Sequence, residues 1–223
     1  MKLTKFVHSC LLAEGDGMTV LFDPGEFSWN SGLFDVDKLE KLDAVVITHE
    51  HPDHFHEPFV QALINKFPEI PFIAPPPVVT KLKVLGAPNA TSKSVDKLVV
   101  FSTKRHAEIE PLAPTPENIA VHFADKLTVG GDRHDLEETK DILALPITAP
   151  WGSAKEAADM VIRLRPKYVV PVHDWHWNDT ARQGEYGRSG GVYQQHSITL
   201  LKPVDGQAFE VKDSEDNDRQ GLQ

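Results

Sequence analysis

Short runs of β-branched and aromatic residues alternate along this chain with segments that carry an apolar stripe at helical spacing. Residues 3–13 and 18–22 read as strands joined by the hairpin sequence Glu14-Gly15-Asp16-Gly17. Asp23-Pro24-Gly25 ends the second strand, and a polar loop with Phe27, Trp29 and Phe34 follows. Residues 36–42 suit a helical turn or two, and residues 43–48 form an apolar run of strand length. Phe59, Val60, Leu63, Ile64 and Phe67 fall on one face of a helix over 57–67. A short strand at 71–74 closes in Pro75-Pro76-Pro77, and a second helix over 78–85 stops at Gly86 and Pro88.

Further strands are predicted at 98–102, 119–124, 126–129, 142–147 and 168–172, with the second and third paired about Asp125. The stretch 110–116 is a proline-rich loop. Ser153 and Glu156 have capping-box spacing ahead of a helix over 154–164. Residues 197–201 and 208–211 read as the last strands. The expected organisation is a single domain over 1–211 with a disordered polar tail at 212–223.

Composition narrows the function. The 223 residues carry 33 acidic and 23 basic side chains, a formal charge of −10, which is the wrong sign for nucleic acid or acidic lipid. A small-molecule substrate is the expected partner, and oligomeric state is left open. The single cysteine, Cys10, excludes an internal disulfide and reads as a buried strand residue in a reducing compartment. With no signal-peptide pattern and no membrane-length apolar run, the expected location is cytoplasmic.

The chemistry concentrates in Thr48-His49-Glu50-His51-Pro52-Asp53-His54, where a strand stops and the chain turns toward a helix. In extended backbone His49 and His51 point to the same side and can grip one ion; Asp53 and His54 follow the turn and face a second. His106, Asp132 and His173 each come just after a predicted strand, where a rigid scaffold can aim side chains at one point.

The ordered set Asp23, His49/His51/Asp53/His54, His106, Asp132, His173 resembles the five signature motifs of the metallo-β-lactamase superfamily, over nearly the whole chain. The resemblance implies an α/β fold, an αββα sandwich of two mixed β-sheets flanked by helices, with a dinuclear metal site at one edge. By the same resemblance His49, His51 and His106 hold one ion, Asp53, His54 and His173 the other, and Asp132 bridges them. Asp23 would steady the motif loop from behind.

Five imidazoles and two carboxylates suit two divalent ions, zinc first and manganese or iron as alternatives. Ions ~3.5–4 Å apart would make hydroxide from a shared water near neutral pH, and Asp53 could aim that water. The expected function is hydrolysis of a small ester, lactone or phosphodiester, in the manner of the stand-alone, lactonase-like branch. The same ligands would also serve iron-based oxidoreductase chemistry, or a catalytically idle metal-binding or regulatory protein. His134 is a candidate proton donor to the leaving group, and Arg133 a candidate anchor for a substrate anion, each weighed against an ordinary charged loop. Trp175 and Trp177 are candidate pocket walls or packing residues, and His8 a pocket residue or a satisfied strand histidine. His56, His122 and His196 are read as structural.

Overall fold

The computed structural model describes residues 1–212, so the expected disorder of residues 213–223 falls outside the described residues. In chain order the first half holds β1 (Lys2–Lys5), β2 (Leu11–Gly15), β3 (Met18–Phe22), α1 (Glu26–Ser31), β4 (Ala44–Val46), α2 (Glu57–Lys66), β5 (Phe72–Ile73), α3 (Pro76–Val84) and β6 (Ala90–Thr91). The second half holds β7 (Leu98–Arg105), β8 (Glu117–Phe123), β9 (Leu127–Val129), β10 (Ile142–Pro146), α4 (Ala154–Leu164), β11 (Tyr168–Val172), α5 (Asp179–Gln194), β12 (Thr199–Leu200) and β13 (Ala208–Glu210).

The strands make two mixed sheets, ordered β13-β1-β2-β3-β4-β5-β6 and β12-β11-β10-β9-β8-β7. Side-chain alternation then separates three apolar layers. Val20, Phe22 and Val46 face Val121, Phe123 and Val170 between the sheets. Leu21, Val45 and Ile47 turn the other way onto Phe59, Leu63, Val78 and Leu82 of α2 and α3. Leu143 and Leu145 likewise face Met160, Val161, Tyr186 and Tyr193 of α4 and α5. This is the αββα sandwich expected from the sequence. Among the described residues no helix is long and apolar enough to cross a membrane.

Local chemistry sets most element ends. The Asp16-Gly17 and Ala124-Asp125 turns have left-handed backbone at both residues, which matches the twist of a two-residue hairpin. Ser153 and Glu156 form a complete capping box on α4. Pro76 and Pro77 occupy the first turn of α3, where a missing N–H goes unused, so that helix starts earlier than its apolar stripe.

Two expectations change, and one helix stands where no element was expected. Residues 3–13 are not one strand: the chain reverses at residues 6–10, closed by Phe6 N–H donating to the Cys10 carbonyl at 2.9 Å, and β1 pairs antiparallel with β2. Phe6 and Cys10 stay buried in the layer under α1 and α2, so the reversal keeps an apolar signature. The loop at 26–35 contains α1, ended by left-handed Gly32. Residues 179–194, which carry no apolar periodicity, form α5; Asn178 caps it, and Tyr186, Ser189 and Tyr193 bury one face. Gly190 faces Leu200 of β12, 3.6 Å from where a Cβ would lie, an ordinary packing distance.

Candidate metal centre

The predicted residues converge where strand ends of both sheets meet. Asp23 follows β3, the motif run follows β4, His106 follows β7, Asp132 follows β9 and His173 follows β11. Backbone bonds fasten these ends together. Ile119 N–H donates to the Thr48 carbonyl at 2.9 Å, Glu26 to Pro52 at 2.9 Å, and Ala107 to Asp132 at 3.0 Å. A buried ion-pair group ties the end of β1 to the end of β11 in the other sheet. The fully buried Lys5 ammonium lies 3.0 Å from Asp174 and 2.6 Å from Asp205, and the Tyr186 hydroxyl of α5 donates to Asp174 beside His173.

Among the described residues, candidate donor atoms fall into three groups, each with its atoms within 4.8 Å of one another: His49/His51/His106, His49/His54/Asp132 and His8/Asp53/His54/His173. Each motif imidazole is tethered through one nitrogen, which leaves the other to face inward. His54 Nδ1 donates to Asp23 Oδ2 at 2.9 Å, and His173 Nδ1 to the Thr148 carbonyl at 2.9 Å. His51 Nε2 donates to the Pro114 carbonyl at 2.9 Å, and His106 Nδ1 to the Ala107 carbonyl. His49 Nδ1 lies 3.1 Å from Thr48 Oγ1, itself held by Asp23 at 3.0 Å. Tethering of this kind fixes tautomer and ring orientation in metal sites. His49 Nε2 is buried with no hydrogen-bond partner, a position that a cation would satisfy.

The electrostatics ask for positive charge. Burial holds His49 well below the usual imidazole value, with the neighbouring His54 adding to this, and burial lowers His51 too. At His54 and His173 burial acts in the same direction, but Asp132 and the nearby carboxylates outweigh it and raise both. Asp132 is held far below the ordinary carboxylate range, since the charges of His173 and His54 overcome the burial that would raise it. Asp23 and Asp132 are 1% and 2% exposed, so neither charge is met by bulk water. A nitrogen-and-oxygen donor set with buried carboxylates between imidazoles fits divalent cations.

Asp132 sits at the centre. Its Oδ2 lies 3.3 Å from His106 Nε2 and 3.0 Å from His173 Nε2, and its Oδ1 lies 3.2 Å from His54 Nε2. Two residues without a sequence signal place it. The fully buried Asn118 accepts the Asp132 N–H at 3.2 Å while donating to the Gly130 carbonyl at 2.9 Å. Trp151 donates its indole N–H to Asp132 Oδ2 at 2.9 Å. Thr48, inside the motif but without a predicted role, instead links Asp23 to His49 and His54 through its hydroxyl.

The remaining candidates are distributed around this centre. His134 Nε2 donates to the Pro146 carbonyl at 2.7 Å, and its ring packs on Trp151 at 4.8 Å rather than among the donor atoms. Arg133 is 2% exposed and bonded to Asp135 and Ser102. Both border a cleft of about 460 Å³ that reaches His106, Trp151, Met160 and Arg163. Trp175 stacks on Phe27 at 4.1 Å on the other side of the centre, whereas Trp177 packs into the layer under α5. His122 stacks on Phe101 at 3.8 Å, away from the centre, and His56 precedes α2. Cys10 is buried, which pushes its thiol up, out of the reactive range.

The Beta-lactamase superfamily domain matches residues 2–173. The chain belongs to the metallo-β-lactamase superfamily. Protein Rv0786c of Mycobacterium tuberculosis is 34% identical over 206 residues, 84% of this chain and 91% of that protein. The UPF0173 metal-dependent hydrolase of Pyrobaculum calidifontis is 27% identical over 199 residues, 78% and 84% of the two chains. Among solved structures, Igni18, a metallo hydrolase from Ignicoccus hospitalis, superposes with a TM-score of 0.68 at 19% identity, over 95% of this chain and 99% of that one.

Proposed function

We propose that the protein is a metal-dependent hydrolase that employs two divalent ions, zinc first, to cleave a small ester, lactone or phosphodiester. The observation that carries this reading is the set of five imidazoles, each tethered outward through one nitrogen, around the central carboxylate of Asp132. His49, His51 and His106 would hold one ion, Asp53, His54 and His173 the other, and Asp132 both. The names of the Pyrobaculum and Ignicoccus relatives support the hydrolytic class. When bound, the ions supply Lewis acidity and a water that ionises near neutral pH.

The chain's own residues do the rest. Trp151 and Asn118 hold Asp132 within reach of His54, His106 and His173. Asp53, whose side chain is 21% exposed, is the more accessible of the two ligand carboxylates and is placed to take a proton from an attacking water. The cleft beside His106 and Trp151 has the volume of a small-molecule site, and the acidic surface fits such a substrate better than nucleic acid or a membrane. The cytoplasm is the compartment this reading assigns.

Zinc-loaded protein assayed on an ester, a lactone and a phosphodiester panel should turn over at least one of these classes. Asp53→Ala should then lower kcat by about 10²–10⁴-fold with little change in KM, the span of a lost positioned proton acceptor. Unchanged kcat in that variant, or no hydrolysis of any class by protein loaded with two ions, would contradict the proposal.

A further inference from the structure

His8 stands in the turn between β1 and β2, and nothing in the five motifs accounts for it. Its backbone is left-handed, φ 67°, a conformation uncommon for a residue with a side chain. His173, at the end of β11 in the other sheet, is left-handed too, φ 62°, and its N–H donates to the His8 carbonyl at 3.3 Å. The Ser28 hydroxyl of α1 holds the same turn through the Val7 carbonyl at 2.7 Å. The His8 side chain is 1% exposed, and its ring lies 4.0 Å from that of His173. Nδ1 has no partner, so the residue keeps a buried, unsatisfied nitrogen as well as an unfavourable backbone. Packing alone would be served better by an apolar side chain.

The use of His8 emerges from Asp53. Every other ligand is anchored from outside: the imidazoles by Thr48, Pro114, Asp23, Ala107 and Thr148, and Asp132 by Trp151. Among the described residues, the bond from His8 Nε2 to Asp53 Oδ2, at 2.9 Å, is the one that fixes the Asp53 carboxylate. The same oxygen lies 3.7 Å from both His54 Nε2 and His173 Nε2. The 2.9 Å between His8 Nε2 and Asp53 Oδ2 is a hydrogen-bond length, so Nε2 can donate its N–H to this ligand oxygen. His8 also lies outside the seven-ligand set proposed above, which leaves it the role of a donor to Asp53.

We infer that His8 is a positioning residue of the second metal position, donating Nε2–H to Asp53 Oδ2 so that this oxygen faces His54 and His173. The inference rests on the two-ion reading above. It ties the β1–β2 turn of the first sheet directly to the metal chemistry, and it makes the first strand part of the site.

Zinc affinity at each position, measured by competition with a chromophoric chelator, tests it. His8→Ala should leave the tighter ion within about threefold and weaken the ion held by Asp53, His54 and His173 by about 10–100-fold, the usual effect of removing such an anchor. His8→Gln, whose amide N–H reaches about as far as Nε2, should recover most of that loss. Both variants meet the same left-handed backbone, so strain cancels between them. Should His8→Ala not fold, His8→Met against His8→Gln gives the same comparison with and without an N–H. Equal affinities in wild type and His8→Ala, or equal weakening of both ions, would overturn the inference. So would a His8→Gln as weak as His8→Ala, which would make His8 a direct ligand. A wild-type chain that takes up one ion overturns the two-ion reading and this inference with it, whereas two ions in wild type with an indifferent His8→Ala overturns this inference alone.

Discussion

Asp132→Asn is expected to reduce the metal content from two ions to at most one and to abolish nearly all turnover, while the protein stays folded. Two divalent ions ~4 Å apart repel by roughly 16 kcal/mol even at an effective dielectric of 20, so a shared negative charge is what allows them to coexist. Asparagine keeps the size and one oxygen and removes that charge. Asp132 is the residue so placed, with its two oxygens 3.0–3.3 Å from His54, His106 and His173. The fold should survive because most of its burial is in the three apolar layers between and outside the sheets, which an isosteric loss of charge at Asp132 leaves in place. His134→Ala is the companion variant: it should keep both ions, and it should lose activity only if His134 reaches a leaving group from behind Trp151. Elemental analysis with circular dichroism reads both. Two ions and full turnover in Asp132→Asn would remove Asp132 from the centre.

Gly25→Ala is expected to be the most damaging single-methyl substitution near the site. A Cβ on Gly25 would lie 1.7 Å from the Asp53 carbonyl oxygen and 2.9 Å from the His54 backbone nitrogen. The obstruction is backbone, which cannot rotate away, so the segment carrying both ligands must move. The neighbouring bonds from Glu26 to Pro52 and from His56 to Pro24, 2.9 and 3.1 Å, would be strained with it. A loss of about 3–5 kcal/mol is expected, at the severe end for one substitution, together with weaker metal binding. Thermal denaturation and metal titration measure the two effects. A variant with wild-type Tm and metal affinity would show that the two loops are not in close contact.

Much of this arrangement was legible because function and periodicity wrote it into short stretches. The His-x-His-x-Asp-His run follows an apolar strand, and the alternation of Val45, Val46 and Ile47 separates the two layers that position it. The Asp125 hairpin and the α4 capping box were readable from local turn and cap chemistry alone. What was hidden depends on tertiary contact. The turn at residues 6–10 is built from buried Phe6 and Cys10, so it resembles a strand. Helix α5 carries no aliphatic stripe because its buried face is Glu185, Tyr186, Ser189 and Tyr193. Asn118 and Trp151 act through single hydrogen bonds to residues 14 and 19 positions away, which no local pattern marks. Gly25 reads as a turn residue, and only the packed loops show that it is the space needed by Asp53.

The number of ions bound by the wild-type chain is the most direct measurement. Protein stripped with chelator and titrated with zinc, followed by native mass spectrometry, should take up two ions per chain. His173→Ala should hold no more than one of them tightly, since it removes one of the two imidazoles of the second position and leaves Asp53, His54 and the shared Asp132. A wild-type chain that saturates with a single ion, or a His173→Ala variant that still binds two as tightly as wild type, would contradict a two-metal centre built from these residues.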